Sequence, residues 1–273
     1  MAPRSLRPVA LVSVPLVGAL LLTLLLMAPT GAAPMRARYE GSTLTKGAPP
    51  EPGLAAAATA PATTPATTAA AAAQPAFASR VPERTRQVVR TVRTRRWCAK
   101  RWCSKTQAWR KGDAGRWVKV REFRSTIGPN GFGKKREGDN RSPSGVYRIK
   151  VTFSTRAQAP GPMPWRRRKP TSTVTNYHNR LYNTWIEERG RTDGDRPSMR
   201  YGFIVNYNHP RLRVGVGPKP VIGKGSGIFY HTSRPGKRWV PTEGCTQVGN
   251  PKAMRWIVRW LRPSARPRVV QAL

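Results

Sequence analysis

The residues that offer chemistry are His231 and Cys245, fourteen positions apart in the stretch IFYHTSRPGKRWVPTEGCTQVG, residues 228–249. A thiol attacks as its thiolate, which requires a base or a positive environment, and a neighbouring imidazole is the usual supplier. His231 ends the strand-like run GIFYH, where alternation fixes the direction of its ring. Cys245 follows Gly244, a residue that lets backbone turn sharply and approach a substrate closely. Amides around such a turn can point at an oxyanion. The spacing alone suits equally a structural cysteine and a surface histidine that never meet.

The sequence holds three cysteines. Cys98 and Cys103, in RWCAKRWCSK, sit five apart where one basic strand turns into the next. In an oxidising compartment that spacing reads as a disulfide closing a hairpin. Its rival, a zinc half-site, needs two further ligands, and His178 and His209 offer no paired spacing, so no metal is expected. Pairing these two leaves Cys245 odd. An odd cysteine in an exported protein is intermolecular, inert and buried, or reactive.

The elements that must position these residues are mostly strands. Residues 86–97, 105–110, 116–123, 145–153, 200–207 and 226–233 are short runs rich in Val, Ile and aromatics, bounded by Gly, Asn and Pro. One helix follows the cysteine: Asn250 is its N-cap and Pro251 its first residue. Met254, Ile257, Val258 and Leu261 lie along one face, and Pro263 is the stop. The expected fold is mainly β with a few helices. A basic, Trp-containing insert at 163–185 reads either as a substrate-facing loop carrying Asn183 or as plain surface.

Export is read from the N-terminus. Arg4 and Arg7 precede an apolar run from Val9 to Ala28 that ends in APTGAAPM, the pattern of a secretory signal. The run is also about the roughly 20 residues that span a bilayer, so an uncleaved anchor is the second reading of residues 1–33 and the only membrane connection expected. Residues 34–83 are an Ala/Thr/Pro-rich linker that cannot bury enough surface to offset ordering, and residues 84–273 form the domain. Residues 1–79 hold five of the 50 Lys and Arg and two of the 12 Asp and Glu, which leaves a net +35 on the rest. Such a charge attracts polyanions. The sequence lacks zinc-finger spacing, an aromatic RNA-binding run and a basic heptad helix, so no specific nucleic-acid partner is expected; wall polymers bearing phosphate or carboxylate are.

The stretch SGIFYHTS, the turn PTEGCTQVGNPKAMRWIVRWLRP and the upstream REGDNRSPSGVYRI together resemble the L,D-transpeptidase (YkuD-type) family. Members carry a histidine at a strand end, a spacer of a dozen or more residues, then a Ser/Thr-x-Gly-Cys turn leading into a helix. The likeness spans residues 84–273, and WLRPSARPRVV is similar to the form of high-GC Gram-positive bacteria. It implies a β-rich, sandwich-like domain with Cys245 as nucleophile, His231 as general base and the Thr232 carbonyl orienting the imidazole. Gly244 and Cys245 would supply the oxyanion amides, and Thr242, Gln247 and Asn183 are the candidates for substrate contact.

The implied reaction is attack on the third residue of a peptidoglycan stem tetrapeptide, loss of D-alanine, and transfer of the acyl group to a neighbouring stem as a 3→3 crosslink, without cofactor. Many members have histidine before the glycine and arginine or asparagine two after the cysteine, where this chain has Glu243 and Gln247. A nearby carboxylate raises a thiol pKa. Three further readings stay open: an L,D-carboxypeptidase with water as acceptor, a non-catalytic wall or polyanion binder on the same fold, and a secreted binder of nucleic acid or anionic membrane.

Overall fold

Alternating apolar runs of β-branched and aromatic residues dictate strands, and the structure, a computed structural model describing residues 73–273, contains all six that were expected. The elements run β1 (Gln87–Arg93), β2 (Cys103–Lys111), β3 (Trp117–Thr126), β4 (Gly145–Ser154), β5 (Trp165–Arg167), β6 (Ser172–Val174), β7 (Trp185–Glu187), β8 (Tyr201–Val205), β9 (Phe229–Thr232), β10 (Thr246–Val248), helix α1 (Pro251–Trp260) and β11 (Arg268–Gln271). The signal or anchor at 1–33 and most of the linker at 34–83 lie outside the described residues. Among the described residues no helix is long and apolar enough to cross a membrane.

Nine strands form one sheet in the order β11-β1-β2-β3-β10-β9-β8-β4-β5, while β6 and β7 pair apart from it. β4 also pairs with β11, so the sheet returns on itself and β5 alone hangs outside the ring. The domain is mainly β, as expected, and the sandwich-like arrangement takes the form of a sheet closed on itself.

One helix packs against this sheet. Asn250 Oδ1 accepts the Ala253 amide at 2.7 Å, and Pro251 occupies the first turn, where no amide partner is needed. Met254, Ile257, Val258 and Leu261 are fully buried against Val89, Phe203, Tyr230 and Val248 of the sheet. Each such side chain contributes about 1.5–3 kcal/mol by leaving water. That packing seats the helix behind β8, β9 and β10, and β10 follows directly on the turn that carries Cys245.

Packing begins earlier than the expected boundary at residue 84. Phe77 is fully buried, edge-on to Trp109 and Trp117 at 5.5 and 5.3 Å, so the last residues of the expected linker belong to the folded domain. A single phenylalanine in an Ala/Thr/Pro background was too weak a sequence signal to move that boundary. The insert at 163–185 also departs from both expected descriptions. It supplies β5 and β6 and ends at Trp185, the first residue of β7, and buries Met163, Tyr182, Asn183 and Trp185, so it is part of the core wall rather than a loop over it.

Candidate active site

β9 and β10 run parallel and adjacent, with Tyr230 opposite Thr246, His231 opposite Gln247 and Thr232 opposite Val248. Opposed residues share a face, so Tyr230 and Val248 enter the core beneath while Phe229, His231, Cys245 and Gln247 project to the other side. Cys245 stands level with Phe229: its Sγ receives the Phe229 amide at 3.4 Å and lies 3.5 Å from the Gly227 carbonyl. The backbones of His231 and Cys245 are thus two register positions apart, about 7 Å along the strands, with both side chains on one face. Among the described residues no hydrogen bond joins the two side chains.

His231 is buried, and its Nδ1 lies 2.7 Å from the Thr232 carbonyl. A carbonyl only accepts, so the ring proton sits on Nδ1, and Nε2 is the nitrogen that can act as base, although the Ser198 backbone also hydrogen-bonds the ring. Burial pushes the imidazole down to about 4, opposed by the Thr232 and Ser198 backbone and assisted by the Arg168 and Arg234 charges. Burial likewise raises the Cys245 thiol to about 11; the Phe229 amide, Lys134 and Arg168 work against that rise, and Glu243 adds to it. Cys245 as a residue nevertheless keeps partial exposure. At neutral pH the resting pair is thiol and neutral imidazole, not a preformed ion pair.

The turn before β10 is built for glycine. Gly244 has φ +147°, and a Cβ there would lie 2.9 Å from the Arg141 carbonyl. Gly244→Ala is therefore expected to cost about 1–3 kcal/mol in strain and to displace Cys245, read as a lower melting temperature together with slower alkylation of the thiol.

The upstream segment GDNRSPSG braces this turn from below. The Asp139 carboxylate accepts the amides of Lys135, Arg136 and Arg141 at 2.7, 3.2 and 3.0 Å and pairs at 3.1 Å with the Lys134 ammonium, whose side chain is buried while Asp139 is partly so. Ser142 Oγ accepts the Gly128 amide and donates to the Cys245 carbonyl at 3.2 Å. Burial works to raise the Asp139 pKa, yet these amides and Lys134 hold it down at about 2. Its stabilising effect is thus complete above the unfolded value of about 3.9 and lost as pH falls through about 2. Asp139→Ala strands a buried ammonium, a change costing about 3–5 kcal/mol. Thermal melts should show a deficit of roughly 10 °C at pH 7 that narrows near pH 2.

The three residues expected to meet substrate spend their side chains on the protein itself. Thr242 Oγ1 donates to the Cys245 carbonyl at 2.6 Å and accepts the Gly244 amide at 3.2 Å. Gln247 Nε2 donates to the Lys237 and Arg238 carbonyls at 3.2 and 3.1 Å, tying down the loop between histidine and cysteine. Asn183 Nδ2 donates to the Asn208 carbonyl at 2.8 Å, and its Oδ1 accepts the Gly227 amide at 3.0 Å. Asn183 thereby holds the residue whose carbonyl faces the thiol. The Gly244 amide is engaged by Thr242, and the Cys245 amide has no protein partner among the described hydrogen bonds. Only the Cys245 amide of the two remains available to an oxyanion.

Cys98 and Cys103 are disulfide-bonded, as their spacing predicts. Two supports escaped sequence reasoning. The first is the pair of tryptophans beside that bridge, Trp97 and Trp102, which clasp the loop after the histidine. The Trp97 ring packs 5.0 Å from that of Trp239, and Trp102 Nε1 donates to the Trp239 carbonyl at 3.2 Å. The second is Arg168, a buried cation from the insert whose field reaches both Cys245 and His231. Among the described residues no group of three His, Cys, Asp or Glu side chains is placed to hold a metal ion.

A family model described as YkuD, L,D-transpeptidase catalytic domain, matches residues 104–270. No curated protein matches the sequence. Among solved structures, the helical cell shape determining protein Pgp2 from Campylobacter jejuni is similar at 17% identity with a TM-score of 0.35, over 68% of this chain and 47% of that one. The chain thus spans about half the length of that protein.

Proposed function

The chain belongs to the YkuD family of L,D-transpeptidase catalytic domains, and from that premise we propose that it is a peptidoglycan L,D-transpeptidase that forms 3→3 crosslinks by acyl transfer through Cys245. The observation that carries this reading is the β9–β10 pairing, which sets His231 and a partly exposed Cys245 on one face of two adjacent parallel strands. Because both groups rest neutral, the thiol proton passes to His231 Nε2 as the sulfur–carbon bond forms. The tetrahedral oxyanion takes the Cys245 amide. Collapse breaks the carbon–nitrogen bond, the imidazolium returns its proton to the departing D-alanine amine, and a thioester remains.

An amine of a second stem then attacks the thioester, gives its proton to His231, and displaces the sulfur, which recovers that proton. With water in place of the amine the product is a tripeptide, the L,D-carboxypeptidase outcome. The Thr232 carbonyl holds the ring through both halves. Residues 1–33 would place the domain outside the membrane, and the net +35 supports binding to anionic wall polymers there. The likeness of the C-terminal helix segment supports the high-GC Gram-positive form of the family.

Glu243, whose charge raises the thiol, favours one competing reading: a non-catalytic wall binder on the same fold. Incubating the protein with a synthetic stem tetrapeptide separates the cases by mass spectrometry. Crosslinked dimer with released D-alanine supports the transpeptidase, and tripeptide alone the carboxypeptidase. Neither product, with Cys245→Ala retaining full wall binding, would leave the binder.

A further inference from the structure

Arg168 is 5% exposed, yet it has no carboxylate within ion-pair distance among the described residues. Its guanidinium lies 5.1, 5.4 and 5.7 Å from the ring centroids of Trp185, Phe229 and Phe153. Nε donates to the Gly194 carbonyl, while Nη1 is buried without any partner. The seat is tight: a Cβ on Gly194 would fall 2.4–2.5 Å from the carbonyl oxygens of Ser172, Lys169 and Pro170. Rings offset part of the cost of burying a cation, but an unpaired charge with an orphaned N–H still costs several kcal/mol. Such an arrangement persists where a negative charge is formed beside it.

The place where that charge forms is Cys245. Phe229, whose ring carries the guanidinium, is the residue whose amide touches the sulfur, and Cys245 packs against the same aromatic cluster. We propose that Arg168 is a positioning residue that stabilises the anionic sulfur of Cys245 across the Phe229 ring. This rests on the reading of Cys245 as the reacting group.

The other charges around the pair fit this assignment. Lys134, the second cation near the thiol, is already paired with Asp139 at 3.1 Å, and Glu243 opposes a thiolate. Around Arg168 stand Arg191 and Arg196, and the nearest acid, Glu187, is held by the Ser172 hydroxyl at 2.9 Å and by Thr171 and Trp185. Burial brings the guanidinium down to about 10, so it stays charged at neutral pH. Arg234 acts on His231 rather than on the sulfur.

The test is the rate of iodoacetamide alkylation of Cys245 as a function of pH in the full chain and in Arg168→Met and Arg168→Lys. If Arg168 acts as proposed, Arg168→Met is slowed about tenfold or more between pH 7 and 9, as for a thiol pKa raised by one unit or more, while Arg168→Lys recovers most of the rate. A folded Arg168→Met with an unchanged profile overturns the proposal. A second comparison leaves Arg168 in place, so it survives any folding failure of those variants. Cys245→Asp puts a fixed anion where the thiolate would form, and it should melt at or above Cys245→Asn; a lower melting temperature overturns the proposal. Alkylation needs no stem peptide, so failure to crosslink would sink the transpeptidase reading and leave this one standing.

Discussion

Cys245→Ala is expected to reduce acyl transfer to background, a loss of at least about 10⁴-fold, because no other group can form the acyl-enzyme. The fold should survive. Among the described residues the sulfur makes only two hydrogen bonds, both long, 3.4 Å from the Phe229 amide and 3.5 Å from the Gly227 carbonyl, and the turn is fixed instead by Thr242, Ser142 and Gly244. D-alanine release from a stem tetrapeptide, measured beside the melting temperature, checks both halves of that expectation. Release that persists in the variant would place the nucleophile elsewhere.

His231→Ala is expected to cost about 10²–10⁴-fold in acylation at neutral pH, the usual contribution of a positioned general base. Its pH dependence is the more telling readout. The buried imidazole stays neutral down to about pH 4, so the parent should hold its base, and its activity, well below the pH at which a free histidine would charge. The same lowered pKa means that folding stability tied to this ring is complete above about 6.5 and lost as pH falls through about 4. The variant loses that acid limb. Its residual rate should climb with each pH unit toward the thiol value of about 11, because only hydroxide is left to remove the proton. Rates of acylation from pH 4 to 9 in both proteins measure this directly.

What was legible in the sequence follows from the strength of local patterns. Six strands and the helix announced themselves through alternation, a capping Asn250 and Pro251. β10 and β11 did not, because three or four residues give periodicity little to work on, and their places are set by partners distant in the chain. His231, Cys245 and Gly244 could be named because their types are rare and their chemistry specific. Arg168 could not: it stands in the run Arg166, Arg167, Arg168, and only tertiary packing makes the second exposed and the third buried.

The same limit explains the residues first read as facing substrate. An amide or hydroxyl near a thiol can serve a ligand or the backbone equally well from its type alone. Thr242, Gln247 and Asn183 are committed to backbone groups, through contacts that join segments as far apart as residues 183 and 227. They shape the site by holding the loop and the turn that carry it.

The central claim is that His231 activates Cys245 for acylation, and intact mass after incubation with a carbapenem tests it most directly. The account expects one covalent adduct per chain, mapping to Cys245 and absent or greatly slowed in His231→Ala. An unmodified parent whose Cys245 is alkylated only after unfolding would contradict it.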